Sequence, residues 1–315
     1  MDENNRIAVL GIYVADTAYL ASRMPKSGET ISGSGFSLGP GGKGSNQAVA
    51  AARVGASVDF ISKIGADPFG DMALKIYADA GVTPQLDVMN DMPSGAAFIF
   101  VNDQTGENAI IVYAGAAGTI TVADVERRRD IIRNARIFVT QLEQPAEAAL
   151  RGLEIARAAG VTTVFNPAPA NPFDAAIYPL CDFIVPNETE AAALVGFPVT
   201  TDADARLAGE EIVSRGVGTA LITLGERGVY VHGKGISQRI PAIADGDVLD
   251  TSGAGDAFIG GFTAALAEGR DVLSCVRFGC ATAGVAVTRR GTAPAMPSRD
   301  EVLALLEKGR GGEAA

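Results

Sequence analysis

Residues 137–165 read IFVTQLEQPAEAALRGLEIARAAGVTTVF. The short apolar run Ile137–Thr140 gives way to helical spacing over Ala146–Ala159 and then to a second β-rich run, Thr162–Phe165. Two short strands joined by a helix of that length form a βαβ unit. Strands that are apolar throughout, without in–out alternation, belong in a parallel sheet covered on both faces. The pattern extends in both directions. Upstream lie a strand at Ile7–Ile12, an Ala-rich helix at Asn46–Gly55, a strand at Val58–Ile64 and a helix at Phe69–Ala80. Downstream come a strand at Phe183–Pro186, helices at Glu188–Val195 and Ala203–Arg215, a strand at Ala220–Leu224, and helices at Ala254–Glu268, Val272–Val287 and Arg299–Leu306. The fold class is α/β: a mainly parallel sheet sandwiched by helices.

Two regions break the alternation. Glu29–Leu38 has β character without a short crossover, and Ala96–Asn102 and Ala109–Tyr113 flank the turn Asp103-Gln104-Thr105-Gly106-Glu107 as a hairpin. Together they predict a small β-sheet lid, with strands within about residues 12–38 and 94–114. Such a sheet is too small to bury its own face and predicts a homodimer through the lid. The expected organisation is a single domain over residues 1–308 with a disordered tail at 309–315.

The chain has 315 residues with 26 Lys+Arg against 37 Asp+Glu, a net charge of −11 that argues against a nucleic-acid partner. Phosphate remains admissible, because binding it needs only a few local donors. Three cysteines, Cys181, Cys275 and Cys280, with no CxxC pair predict a reducing, cytoplasmic setting. The N-terminal residues lack the basic and apolar regions of a signal peptide, and no apolar run is long enough for a membrane span. The single histidine, His232, removes most triads and multi-histidine metal centres and reads as a surface residue where a strand meets a turn. The 38 glycines exceed the usual ~7% share, and they cluster.

The densest cluster is Gly39-Pro40-Gly41-Gly42-Lys43-Gly44-Ser45-Asn46-Gln47. Gly39, Gly41 and Gly44 match GxGxxG, with Asp59 within about 20 residues, as an NAD-binding oxidoreductase would have. Yet the first strand is already past, Lys43 would set a cation in the phosphate turn, and Gly44 follows Lys43 where a Walker A motif needs Ser or Thr. A loop that lets backbone approach a small polar ligand, with Lys43 and Asn46 supplying side-chain donors and acceptors, is physically sounder. The second cluster, Asp250-Thr251-Ser252-Gly253-Ala254-Gly255-Asp256, places small residues and free N–H groups at a helix start, an anion site. Asp256 in that first turn serves either as a capping partner or as a base for a substrate hydroxyl beside the anion hole.

Pro186-Asn187-Glu188-Thr189-Glu190 has capping-box spacing, and the same two side chains suit a hydrated Mg²⁺. Thr223-Leu224-Gly225-Glu226-Arg227-Gly228 is a strand ending in a Gly-flanked turn, where open α/β sheets hold nucleotides.

These four elements, in this order, resemble the ribokinase-like (PfkB) carbohydrate kinases over nearly the whole chain. Gln141-Leu142-Glu143, Asn166-Pro167-Ala168-Pro169-Ala170 and Ala286-Val287-Thr288-Arg289-Arg290-Gly291 add to the likeness. The resemblance implies ATP-dependent phosphorylation of the primary hydroxyl of a pentose, D-ribose to D-ribose 5-phosphate. By position it implies Asp256 as catalytic base and Gly253, Ala254 and Gly255 as the anion hole. Asp16, Gly42, Lys43, Gly44, Asn46 and Glu143 would hold the sugar. Asn187, Thr223, Gly225, Gly228 and Gly255 would contact ATP, with Cys280 where Asn or His often borders the adenine. Asn187 and Glu190 would organise Mg²⁺ through water. Potassium would be held by Asp250, Ser252, Ala286, Arg289 and Gly291, chiefly through carbonyls.

Val14 stands where many members carry Asn, which raises the prospect of a 2-deoxy sugar. Ala295 replaces a Ser that can complete the potassium site. The alternatives are a family kinase for 2-deoxyribose, a ketohexose or a nucleoside, and, from other classes, the oxidoreductase or a non-catalytic sugar-binding regulator.

Overall fold

The computed structural model describes residues 5–312. The chain begins with β1 (Arg6–Leu10), β2 (Val14–Ala21), β3 (Gly35–Gly41), α1 (Lys43–Arg53), β4 (Ser57–Gly65), α2 (Pro68–Ala80) and β5 (Val82–Met89). It continues through β6 (Gly95–Asn102), β7 (Asn108–Tyr113), α3 (Val122–Arg127), α4 (Arg129–Arg133), β8 (Ile137–Thr140), α5 (Ala146–Ala158), β9 (Thr162–Phe165) and β10 (Phe183–Ile184). The last part comprises α6 (Glu188–Val195), α7 (Asp202–Ser214), β11 (Thr219–Thr223), β12 (Val229–Gly233), β13 (Ile236–Ile240), α8 (Ala254–Ala267), α9 (Val272–Ala286) and α10 (Arg299–Gly312).

Among the described residues, nine strands form the main sheet in the order β13-β12-β11-β10-β9-β8-β1-β4-β5, parallel except at β11/β12 and β12/β13. Successive residues of β1 serve opposite faces: Ile7 and Val9 enter one apolar cluster, Ala8 and Leu10 the other. That is why the strands read as continuous apolar runs. From β1 the chain builds β4 on one side and β8 on the other. A reversal of this kind opens a crevice at the strand's carboxyl end, where ligands of open α/β sheets bind.

The lid is a second sheet in the order β3-β2-β6-β7. The β6–β7 hairpin forms as expected, whereas β2 and β5 carry no clear alternation and were not legible as strands. Strand β3 of the lid runs to Gly41, beyond residue 38. Residues 309–312 continue α10, and residues 313–315 of the expected tail lie outside the described residues. His232 lies on β12, with Nδ1 3.1 Å from Ser237 Oγ.

Glycines set how closely α8 packs. A Cβ at Gly260 would lie 2.4 Å from Ala50 Cβ on α1, and one at Gly261 2.2 Å from Thr282 Oγ1 on α9. Interiors are packed too densely to absorb such an overlap. Part of the glycine excess therefore serves helix packing, and the close α1–α8 approach brings the two sequence clusters together.

Candidate active site

The residues expected to hold a sugar do not sit on a free loop. Helix α1 starts at Lys43, with Gly42 as its N-cap at φ +89°, so Lys43, Gly44, Ser45 and Asn46 are helical and the anticipated start at Asn46 is three residues late. The chain can wind there because Gly44 meets bare backbone: its Cβ would stand 2.7 Å from Gly11 Cα. The β1 carboxyl end and the α1 amino end thus touch, and the first N–H groups of α1 face the crevice. Lys43 N–H donates to Glu143 Oε2 at 2.7 Å. Glu143, just beyond β8, is pushed up to about 7 by burial; Lys43 opposes this, and Asp256 and Asp16 add to it.

Asp16, on β2, lies over Gly41 of the neighbouring strand; a Cβ at Gly41 would fall 2.2–2.3 Å from its carboxyl atoms. Burial, then Asp256, pushes the Asp16 carboxyl up to about 6. Asp256 is 7% exposed in the first turn of α8. Its Oδ2 accepts from Asn46 Nδ2 at 3.1 Å and its Oδ1 from Gln47 Nε2 at 3.0 Å. Burial raises its pKa, and Lys43, Gln47 and Asn46 oppose the rise. Burial alone would depress the Lys43 ammonium, but Asp256, Glu143 and Glu190 together hold it above its usual value. One partly buried cation is thereby set among three carboxyl groups.

The N-cap of α8 is Gly253 at φ +73°, a left-handed conformation that glycine adopts without strain. Ala254 N–H already donates to Thr251 O at 3.2 Å. Among the described residues, the N–H groups of Gly253 and Gly255 have no backbone acceptor. A Cβ on Gly255 would meet nothing within 4 Å, so open space lies before the helix end, one residue from Asp256. Free N–H groups, a helix dipole and an adjacent carboxylate can stabilise a transferring phosphoryl group and accept a hydroxyl proton.

On the other flank, the Asn187–Glu190 capping box is fully made: Glu190 N–H donates to Asn187 Oδ1 and Asn187 N–H to Glu190 Oε2, both at 2.8 Å. Burial raises the Glu190 pKa, with Asp256 adding to it against the cap and Lys43. Asn187 also bridges Thr223 at the end of β11, so these two residues lie side by side; Gly225 and Gly228 bound the turn that follows. A divalent cation fits here, since one Glu190 oxygen remains outside the cap and its charge is otherwise poorly compensated.

Asp250 links two loops, accepting from Ser252 N–H and Gly291 N–H, each at 2.9 Å, while Leu249 and Asp250 N–H both donate to Val287 O. The segments carrying Asp250, Ser252, Ala286, Arg289 and Gly291 are therefore together, a fit for a cation held by carbonyls. The Arg289 guanidinium turns to Glu301. Cys280 is 6% exposed in the main apolar core, its thiol pushed up to about 12 by burial. Val14 is buried opposite Gly41, and Ala295 is buried in the turn after Thr292.

Three residues went without a role in the sequence reading: Gln47, Gln141 and Asn166. Gln141 Nε2 donates to Gln47 Oε1 at 2.6 Å, and Gln47 Nε2 donates to Asn166 Oδ1 at 3.2 Å. The available signal was chemical: buried amides beside apolar runs need partners.

A mainly parallel α/β sheet with a small lid, an open helix N-terminus and a buried carboxylate beside it is a geometry that can carry phosphoryl transfer to an alcohol group. The chain belongs to the pfkB family of carbohydrate kinases, whose family model matches residues 4–299. It is 38% identical over 302 residues to the ribokinase of Haemophilus influenzae, covering 96% of this chain and 98% of that one. It is 35% identical over 297 residues to the deoxyribokinase of Salmonella typhi, covering 94% and 96%. The structure of Arabidopsis thaliana ribokinase complexed with ribose and ATP superposes with a TM-score of 0.89 at 31% identity, covering 96% of this chain and 99% of that one.

Proposed function

We propose that this chain transfers the γ-phosphoryl group of ATP to the primary hydroxyl of a pentose, converting D-ribose to D-ribose 5-phosphate. The observation that carries the reading is Asp256, buried in the first turn at the open N-terminus of α8, with both oxygens held from α1, whose first residue is Lys43. In this mechanism Asp16, Gly42, Lys43, Gly44, Asn46 and Glu143 fix the sugar, Asn46 Oδ1 being a buried acceptor without a partner among the described residues. Asp256 accepts the hydroxyl proton as the oxygen attacks phosphorus. The N–H groups of Gly253 and Gly255, with Ala254 between them, take the charge on the phosphoryl oxygens. Asn187, Thr223, Gly225 and Gly228 hold ATP, with Cys280 near the base. Asn187 and Glu190 would hold Mg²⁺ through water, where it would supply charge neutralisation on the phosphates, and Asp250, Ser252, Ala286, Arg289 and Gly291 would hold K⁺, which would set the loop's shape.

Val14 supports a second reading, 2-deoxyribose as substrate: a buried valine offers no hydrogen bond where a hydroxyl would need one, and a relative 35% identical is a deoxyribokinase. ADP release over D-ribose, 2-deoxyribose, ketohexoses and nucleosides, with and without K⁺, tests both. Ribose giving the highest kcat/KM supports the main reading. Silence with every sugar alongside tight NAD⁺ binding would sink it. Val14→Asn should raise the ribose preference over 2-deoxyribose.

The lid further supports a homodimer. Phe36, Leu38, Ile111 and Tyr113 are 59%, 48%, 67% and 57% exposed on it, an apolar surface that monomers rarely leave open. Sedimentation of the chain and of Phe36→Asp tests this, a monomeric native chain being the contrary result. We place the enzyme in the cytoplasm on its three unpaired, buried cysteines; no described helix is long and apolar enough to cross a membrane.

A further inference from the structure

The amide of Gln47 is fixed more completely than that of any other residue touching Asp256. Its two N–H bonds are both used, one on Asp256 Oδ1 at 3.0 Å and one on Asn166 Oδ1 at 3.2 Å. Its Oε1 accepts from Gln141 Nε2 at 2.6 Å. Asn166 is anchored in turn, donating through Nδ2 to Val185 O at 2.7 Å. Gln47, Gln141 and Asn166 are 1%, 0% and 6% exposed. Rotating the Gln47 amide by half a turn would set its oxygen against the Asp256 carboxylate and its nitrogen against the Gln141 Nε2, so one orientation alone pairs every atom of the Gln47 amide, while Gln141 Oε1 stays buried without a partner among the described residues. Asn46 differs: its Oδ1 is unpartnered among the described residues, which leaves one end of its amide open to a sugar hydroxyl.

We infer that Gln47 is a positioning residue for phosphoryl transfer, its amide locked by Gln141 and Asn166 so that a fixed N–H holds Asp256 Oδ1 and turns the remaining lone pairs of the carboxylate toward the incoming hydroxyl. This deepens the proposed function and rests on Asp256 being the base. The charges facing Asp256 are Lys43 from α1, Asp16 from β2, Glu143 after β8 and Glu190 from α6. Of these only Lys43 favours the ionised form. A neutral donor that also does so matters in such surroundings, and its loss leaves the base holding its proton more tightly.

The test compares Gln47→Met, which keeps length and removes the donor, with Gln141→Met and the double variant. For Gln47→Met, kcat should fall roughly 10- to 100-fold, the loss expected for one hydrogen bond to a charged group. The KM values for ribose and ATP should move less than about threefold, and the acid limb of kcat/KM should rise by about one pH unit. Gln141→Met should shift both in the same direction by less. The double variant should be no worse than Gln47→Met alone, because Gln141 acts through Gln47. Gln47→Glu, isosteric and still able to accept from Gln141, should reproduce the limb shift if Gln47→Met does not fold. Additive losses, a kcat loss without a limb shift, or wild-type kcat would each overturn the inference. Asp256→Asn separates the two layers: retained turnover there overturns the base itself, whereas an inactive Asp256→Asn beside a wild-type Gln47→Met overturns only the positioning role.

Discussion

Replacing Gly41 by Ala would put a methyl carbon where the Asp16 carboxyl group now lies. The added Cβ would stand 2.2 Å from Oδ2 and 2.3 Å from Cγ and Oδ1, against an ordinary contact of 3.4 Å or more. The carboxyl group must therefore withdraw by about 1 Å, a displacement large enough to break hydrogen bonds to a positioned hydroxyl. The φ of Gly41 is outside the left-handed region, so its backbone accepts Ala, and what moves is the end of a side chain. The fold should survive with little change in Tm. Losing a hydrogen bond to a charged group costs about 1.5–3 kcal/mol, which corresponds to roughly a 10- to 150-fold rise in the sugar KM. The dissociation constant for ATP, measured by calorimetry, should not move, since the nucleotide-side residues are untouched. Gly35→Ala, on the same strand with Leu20 side-chain atoms no nearer than 3.5 Å, is the matched control and should be neutral. An unchanged sugar KM in a folded Gly41→Ala protein would refute the placing of Asp16 at the sugar.

Further expectations follow from charge, packing and the cation site. Lowering pH from 8 to 6 protonates Glu143, which is pushed up to about 7, so the sugar KM should rise as pH falls, by about tenfold per unit below the midpoint. In Glu143→Gln that step should vanish, while the one from Asp16, pushed up to about 6, persists; a KM flat with pH in the native enzyme is the contrary result. The sign for stability is opposite: both carboxyls are raised on folding, so their contribution is full below about pH 4 and is lost as pH rises through 6 to 7. The free enzyme should accordingly melt lower at pH 8 than at pH 5 in a thermal scan. Gly260→Ala, whose Cβ would meet Ala50 Cβ at 2.4 Å, should cost about 1–3 kcal/mol in denaturant titrations and lower kcat by displacing α8 from α1; a neutral effect on both would contradict the packing account. Asp250→Ala removes the acceptor shared by Ser252 and Gly291 N–H and should abolish activation by K⁺ while sparing the sugar KM; activation that persists would detach Asp250 from that site.

Much of the α/β frame was readable because β8, α5 and β9 bury both faces or one clear stripe, and hydrophobic pattern alone records that. Strand β2 was not, because Val14–Ala21 mixes buried and exposed positions with no regular alternation; its partners β3 and β6, distant in sequence, determine its state. The site clusters were visible as glycine runs, yet their meaning was partly misread. Gly44 and Ser45 belong to a helix whose early start depends on Gly11 lying beneath it. Gly260 and Gly261 serve helix contact, which no local pattern announces. The Gln47–Gln141–Asn166 network joins positions 94 and 119 residues apart, so only the folded chain shows that Gln141 and Asn166 both bond the amide that holds Asp256.

Phosphoryl transfer by this enzyme should depend above all on Asp256. ADP release with D-ribose should be readily measured for the native enzyme, and Asp256→Asn should lower kcat by roughly 10²- to 10⁴-fold with ATP binding unchanged. Turnover of D-ribose by Asp256→Asn at close to the native rate would contradict it.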